Sequence, residues 1–304
     1  MKNNANLHKA KSAKNDEFYT QLVDVEKELK HYKDFFKGKK VLCNCNDDKW
    51  SAFFKCFSMN FEHLGLKQLV CVSYNKNGNG KKYAYNGDLN DNRMVDDWEV
   101  NVTELNGNGS YSSDECIELL KDCDVVVTNP PFSLFRDFVS LLYQYDKKFL
   151  IVGNVNAITY KEIFPRIKEN KMWLGVNNGG KTYEVPTNDG TKKVEEINRK
   201  YYQSCNTFWF TNIPHNKRNQ SLELFKKYNP AEYPKYDNYD AIECSKIANI
   251  PVDYDGVIGV PITFLDKYCP AQFEIVKFRK GNDDKDLTIN GKSPYFRILI
   301  RKLS

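Results

Sequence analysis

Residues Asp124 to Phe135 read DVVVTNPPFSLF: three valines, a Thr-Asn pair, two prolines and a phenylalanine. Proline donates nothing to a sheet ladder, so the pair must end a buried strand. It also fixes the backbone and restricts Asn129 before it, so the carbonyls of this turn are aimed. In open α/β sheets, ligands bind outside the carboxyl ends of strands, where this turn falls. The Asn129 side-chain oxygen and the Pro130 carbonyl are then two neutral acceptors held close together, with Pro131 stiffening the turn. They suit an amine conjugated to an aromatic ring, such as the exocyclic amine of adenine. Accepting both its hydrogens would hold the nitrogen, favour a tetrahedral geometry and free its lone pair for in-line attack on an activated methyl, with no strong base. Phe132 could offer a ring face to the base, a contact worth roughly 1–3 kcal/mol. The same tetrapeptide also reads as a rigid link before a helix with Phe132 in the core, and alone it leaves both readings open.

The flanking sequence must supply the frame. Leu22, Val25, Leu29, Tyr32 and Phe36 recur at helical spacing before Gly38, which predicts an amphipathic helix from Leu22 to Lys37. The run Val41 to Cys45, a helix from Lys49 to His63 closed by Gly65, and the run Lys67 to Tyr74 make a β-α-β unit. Short apolar runs between helices imply parallel strands buried on both faces. Asn75 to Ser113 is rich in Asn, Gly, Asp and Ser and reads as loops with one short strand. A helix from Ser113 to Lys121 leads to the valine strand, and Leu134, Phe135, Phe138, Val139, Leu141 and Leu142 stripe the helix that follows. KKFLIVGN and NTFWFTN add strands, and the segments KEIFPRIKEN and KMWLGV repeat the alternation. The expected fold is therefore α/β, a Rossmann-like doubly wound, mostly parallel sheet. Beyond about Pro214 the texture becomes short segments rich in Tyr, Asp, Asn and Pro, which predicts an irregular second region.

Composition bounds the class. The chain has 304 residues, 41% hydrophobic and 28% charged, the profile of a globular protein of enzyme size. It carries no apolar run of about 18 residues and no signal-like N-terminus, so a cytoplasmic location is expected. Nine cysteines, an odd number without a C-x-x-C pair, predict reduced thiols and no metal. Cys43 and Cys45 would share one strand face as small hydrophobes. A net charge of +5 permits nucleic-acid binding without requiring it. Lys2, His8, Lys9, Lys11 and Lys14 form a basic N-terminal arm able to meet phosphates, or simply a solvated tail.

Asn129-Pro130-Pro131-Phe132 matches the (D/N/S)-P-P-(Y/F) tetrapeptide of adenine-specific DNA methyltransferases. The segments KSAKNDEFYTQ, VLCNCNDD, VVTNPPFSLFR, FLIVGNVNAITYKEIF, IKENKMWLGV, YDNYDAIE and DYDGVIGVPITFLDKY more closely resemble the EcoRI-type modification methyltransferases. The resemblance spans nearly the whole chain. It implies methyl transfer from S-adenosylmethionine to the N6 amine of adenine in duplex DNA by base flipping, within a restriction-modification system. The partners implied are double-stranded DNA and a restriction endonuclease acting on the same site, with no membrane and a monomeric enzyme. It also implies that Phe18, Tyr19 and Thr20 border the methionine part of the cofactor, and that Asn129 contacts the cofactor as well. Asn44, Cys45, Asn46, Asp47 and Asp48 stand where the class carries a glycine-rich loop, and Asn and Asp tolerate the left-handed turns such a loop needs. CVSYN lacks the usual acid that binds the ribose hydroxyls, so Asp47 is its substitute, with Asn44, Cys45 and Tyr74 nearby. Asn108 falls in the loop that often contacts the cofactor adenine. Base extrusion costs a few kcal/mol. For DNA contacts the arm residues Lys11 and Lys14, then Asn154, Asn156, Arg199, Lys217 and Arg218, are the candidates. The 177–219 region carries Lys181, Lys192, Lys193 and Lys200 interleaved with Tyr183, Tyr201 and Tyr202. The expected organisation is an arm and cofactor motif over 1–20, a catalytic core over 21–176, a core continuation with recognition insertion over 177–219, and a DNA-recognition region over 220–304. The residues also admit methylation of RNA adenine or a protein glutamine, or an idle nucleic-acid-binding module.

Overall fold

A computed structural model of the chain describes residues 19–185, 195–197 and 200–303. The candidates Lys11, Lys14, Phe18, Lys192, Lys193 and Arg199 lie outside those residues. The chain divides into two compact units, one of residues up to Ile163 together with Leu174–Ile213, the other of Phe164–Trp173 with the chain from Pro214 onward. The segment 164–173 thus belongs with the C-terminal unit, a division that pattern alone did not reveal.

The first unit is a doubly wound α/β sheet. Strands β1 (Lys40–Cys43), β2 (Gln68–Ser73), β5 (Val125–Thr128) and β6 (Lys148–Asn154) are parallel neighbours in the spatial order β2-β1-β5-β6. Their apolar runs are buried on both faces, as parallel strands require. The order reverses at β1, so the carboxyl ends of β1 and β5 open side by side at the topological switch point, the expected place for a ligand.

The edges are antiparallel. β3 (Lys81–Tyr85) pairs with β2, and β4 (Val100–Glu104) with β3. Two strands therefore stand where the Asn/Gly-rich stretch predicts loops with one. On the other side, Lys200–Thr211 runs antiparallel to β6 and carries Gly179–Val185 as a further antiparallel neighbour.

Helix α1 (Leu22–Leu29) passes through a 3-10 turn at Lys30–Tyr32 into a short helix at Lys33–Phe36, so the single predicted helix is in three pieces. It buries Val25, Leu29, Tyr32 and Phe36 against α2 (Ala52–Met59), whose Phe57 ring meets Phe36 at 5.3 Å. Gly65 ends this second helical region with φ +62, the left-handed cap that glycine adopts without strain. Helix α3 (Asp114–Asp122) is capped by Ser113, which accepts from the Cys116 N–H. Helix α4 (Phe135–Gln144) buries Phe135, Phe138, Val139 and Leu142 on the opposite face of the sheet.

The second unit is more regular than its composition suggests. Ile242–Glu243, Ile258–Pro261, Arg297–Lys302 and Phe273–Phe278 form a mixed four-stranded sheet in that order. Arg297 clamps Glu243 at 2.8 Å, and Tyr236, Ala241, Val257, Leu287 and Leu299 form a core there. No described helix is long and apolar enough to cross a membrane.

Candidate active site

The carboxyl ends of β1 and β5 open into a cleft of about 1200 Å³ within the first unit, lined by Tyr19, Thr20, Asn44, Cys45, Asp47, Tyr74, Asn129, Pro130 and Pro131 among others. Residues 109 positions apart meet here: the Asn129 amide nitrogen donates to the Thr20 hydroxyl at 3.1 Å. That bond fixes which way the amide points. Thr20 is itself placed by the backbone of Tyr19, whose N–H donates to the Glu184 carbonyl at 2.9 Å. Phe132, half-buried, starts the 3-10 turn that follows the prolines and is not part of the lining. Ser133, Leu134 and Asp137 line the cleft instead.

The loop after β1 holds its shape without glycine. Asn46 takes the left-handed conformation, φ +63, as expected of an Asn in this loop, and its side chain accepts from the Tyr74 N–H at 3.2 Å. The Asp47 N–H donates to the Val72 carbonyl at 2.9 Å, and its carboxylate accepts the Thr128 hydroxyl at 2.6 Å. Asp47 thereby ties the ends of β1, β2 and β5 together, through the residue that precedes Asn129.

Burial pushes the Asp47 carboxyl up to about 7, with the Thr128 hydroxyl opposing the rise. Because an unfolded aspartate titrates near ~3.9, the folded chain holds this proton between about pH 4 and 7 while the unfolded chain has lost it. Stability from this group is therefore full below the unfolded value and falls as pH rises through the window, levelling above about 7. Asp47→Asn removes the titration. Denaturant midpoints are expected to match wild type most closely near pH 4 and to exceed it near pH 8. The thiols of Cys43 and Cys45 are also pushed well above their ordinary value by burial, so they sit here as protonated, unreactive groups.

Other candidates are placed elsewhere. Asn108 is exposed and outside the lining. Its side chain accepts from the Ser110 N–H at 3.1 Å, while Gly109, Ser110 and Tyr111 of the same loop reach the cleft. Asn154 accepts from the Asn156 N–H at 2.9 Å, capping the 3-10 turn after β6, and Asn156 is exposed; neither lines the cleft. Lys181 and Tyr183, read as parts of a recognition loop, are buried in the Gly179–Val185 strand. Tyr201 and Tyr202 are half-buried in the strand beside it.

In the second unit, Lys217 is paired with Asp266 at 2.6 Å and is only 20% exposed. The Arg218 guanidinium lies 4.0 Å above the Trp173 ring and donates to Asn170 at 2.7 Å. Both phosphate candidates therefore have intramolecular partners within their own unit.

Pattern reading missed Trp50, which is 64% exposed at the rim, with the Lys49 ammonium 4.9 Å from its ring. It also missed Ser51, Ala52 and Phe53 at the start of α2, although Ser51 three residues before Phe54 is a legible N-cap signal.

No solved structure matches the chain. Among curated proteins it is 50% identical to the Type II methyltransferase M.EcoRI of Escherichia coli, over 97% of this chain and 95% of that one. It is 41% identical to the Type II methyltransferase M.MpnI of Mycoplasma pneumoniae and 40% identical to M.MgeORF184P of Mycoplasma genitalium, each over 97% of this chain and 98% of the relative. The model of the family described as adenine-specific methyltransferase EcoRI matches residues 6–303. With its Asn-Pro-Pro-Phe turn on the cleft at the switch point of a Rossmann-like sheet, the chain belongs to that family of adenine-specific methyltransferases.

Proposed function

We propose that the chain is a site-specific DNA methyltransferase that moves a methyl group from S-adenosylmethionine to the N6 amine of an adenine flipped out of duplex DNA, as the modification enzyme of a restriction-modification system. The observation that carries this reading is the Asn129 amide held by Thr20 on the cleft wall, beside the two prolines. The curated relatives, named as Type II methyltransferases, support the restriction-modification setting.

The cleft suits the cofactor chemically. It offers the Thr20 hydroxyl, the Asp47 carboxylate, the aromatic ring of Tyr74 and the Asn44 amide, whose nitrogen is buried with no acceptor among the described residues. Those residues would hold the cofactor, which supplies an electrophilic methyl on a sulfonium sulfur. Asn129 Oδ1 and the Pro130 carbonyl accept the two amine hydrogens and fix the nitrogen in line, and the Thr20 contact keeps the Asn129 oxygen on that side. Phe132, half-buried just outside the lining, would turn toward the cleft to stack on the extruded base. No side chain need take a proton before attack, because the amine is neutral and sheds one proton to water only after transfer.

Incubation with genomic DNA followed by sequencing of modified positions tests the reading. Methylation confined to adenines in one short sequence context is expected; transfer to RNA or to glutamine side chains instead would move the chain to the alternative substrates. The engaged state of Lys217 and Arg218 adds a second expectation. Neutralising either is expected to leave the slope of log affinity against log salt within one phosphate contact of wild type, about 0.9 in slope. Arg218→Ala instead lowers the melting temperature, through lost stacking on Trp173. A slope flattened by a full contact per substitution would restore the phosphate role.

A further inference from the structure

The second unit holds a groove of about 300 Å³ whose wall includes Arg279, Asp286, Tyr295 and Phe296. Arg279 follows the last residue of the strand Phe273–Phe278 and takes the left-handed conformation, φ +67, uncommon for a residue other than glycine. Its backbone is pinned on both sides: the N–H donates to the Arg297 carbonyl at 3.0 Å, and the carbonyl accepts from the Leu287 N–H at 3.0 Å. The side chain is held as firmly. Nε and Nη2 donate to the two Asp286 carboxylate oxygens at 2.6 and 2.7 Å, and the guanidinium lies 4.4 Å from the centre of the Phe296 ring. Asp286 thus takes one edge of a fork that has five N–H donors. The end of the fork is left over: Nη1, which makes no hydrogen bond among the described residues, and the second hydrogen of Nη2. The side chain keeps 34% of its surface exposed.

Two coplanar N–H groups at the end of a guanidinium suit two adjacent acceptors. Duplex DNA offers such a pair at a phosphate and at the O6 and N7 of guanine, whereas adenine sets its N6 donor beside N7 and would meet a donor with a donor. The setting separates the first two. The Asp286 carboxylate offsets the Arg279 charge, which weakens attraction to a phosphate far more than a hydrogen bond to the neutral edge of a base. A guanidinium fixed in direction by a carboxylate and a ring also loses little side-chain freedom on binding, the arrangement that bidentate reading needs. Resting on the DNA reading above, we infer that Arg279 is a specificity-determining residue of the second unit, its remaining N–H pair recognising the O6 and N7 of a guanine in the major groove. Asp286 and Phe296 are positioning residues that aim the fork.

Methylation of a library of duplexes with randomised sequence around an adenine, read by sequencing, tests the assignment. The wild-type context is expected to include a required G·C pair. Arg279→Lys keeps the charge and loses the fork, so it is expected to lower discrimination at one G·C pair by about 5- to 150-fold, the range for one bidentate contact, while the other positions are read as before. Asp286→Asn keeps the fork but holds it less firmly, so it should relax the same position by a smaller factor, and it supplies the reading if lysine is not tolerated. A structural ion pair would instead lower the melting temperature and the rate in every context alike, and unchanged discrimination in both variants would overturn the assignment. So would a wild-type context without a G·C pair. A salt slope flattened by about 0.9 in Arg279→Ala and restored in Arg279→Lys, with specificity intact, would assign Arg279 to a phosphate. If the wild type methylated no duplex in the library, the DNA reading itself would fall, and this inference with it.

Discussion

Asn129→Ala is expected to lower methyl transfer to DNA by about 10²–10³-fold, the range for deleting one preorganised polar group that acts on the reacting atoms. Cofactor affinity should fall much less. Asn129 is half-buried at the end of a fully buried strand, with its amide nitrogen on Thr20 and the rigid proline pair behind it. Removing its side chain deletes an acceptor for the amine and leaves the sheet intact, so thermal unfolding is expected to stay near that of wild type. Thr20→Val provides the companion measurement. It keeps the volume and removes the hydroxyl that holds the amide, so it should reduce the rate by a smaller factor, with Asn129 still present but free to turn. Single-turnover kinetics with saturating cofactor and DNA separates these effects from binding. Equal losses of rate and of cofactor affinity in Asn129→Ala would assign the residue to cofactor binding alone.

Glu28→Ala should be the most damaging single change to stability, about 3–5 kcal/mol. Glu28 is fully buried in α1. Its carboxylate accepts from the N–H of Val176 at 2.8 Å, the N–H of Asn177 at 2.7 Å, the Asn177 amide at 3.1 Å and the Tyr32 hydroxyl at 2.8 Å. Alanine would strand all of these donors away from water. The approach is so close that a Cβ on Gly175 would lie 2.3 Å from Glu28 Oε1, so Gly175→Ala should disturb the same junction. The consequence reaches the cleft. The turn at 176–177 leads into the strand whose Glu184 carbonyl anchors Tyr19, the residue beside Thr20. Chemical denaturation gives the stability loss, and Glu28→Gln, which keeps one acceptor oxygen, should lose less. A loss under about 1 kcal/mol for Glu28→Ala would mean that water replaces the carboxylate at this junction.

The contrast between Asn129 and Glu28 shows what a single sequence can convey. The parallel core was legible because strands buried on both faces leave uninterrupted apolar runs, as in VVVT, and because prolines at a strand end have few uses. The left-handed Asn46 was legible for a similar local reason. Glu28 was not: an acid on an amphipathic helix reads as solvated, and its partners lie 148 and 149 residues away. The β3–β4 pair escaped notice because its residues are largely half-buried or exposed, so apolar periodicity is weak there. The surroundings of the basic residues were not legible either. Lys181 read as part of a basic recognition loop and Lys217 as a phosphate contact, while the fold buries the first in a strand and pairs the second with Asp266. Charge on the page states a residue's type, while its partner is set by tertiary structure.

The account stands most directly on the identity of the methylated base. DNA treated with the enzyme and S-adenosylmethionine, digested to nucleosides and resolved by mass spectrometry, should yield N6-methyldeoxyadenosine as the only new nucleoside, formed about 10²–10³-fold more slowly with Asn129→Ala. A methylated cytosine, or N6-methyladenine formed undiminished by Asn129→Ala, would contradict the claim that this turn positions an adenine amine for transfer.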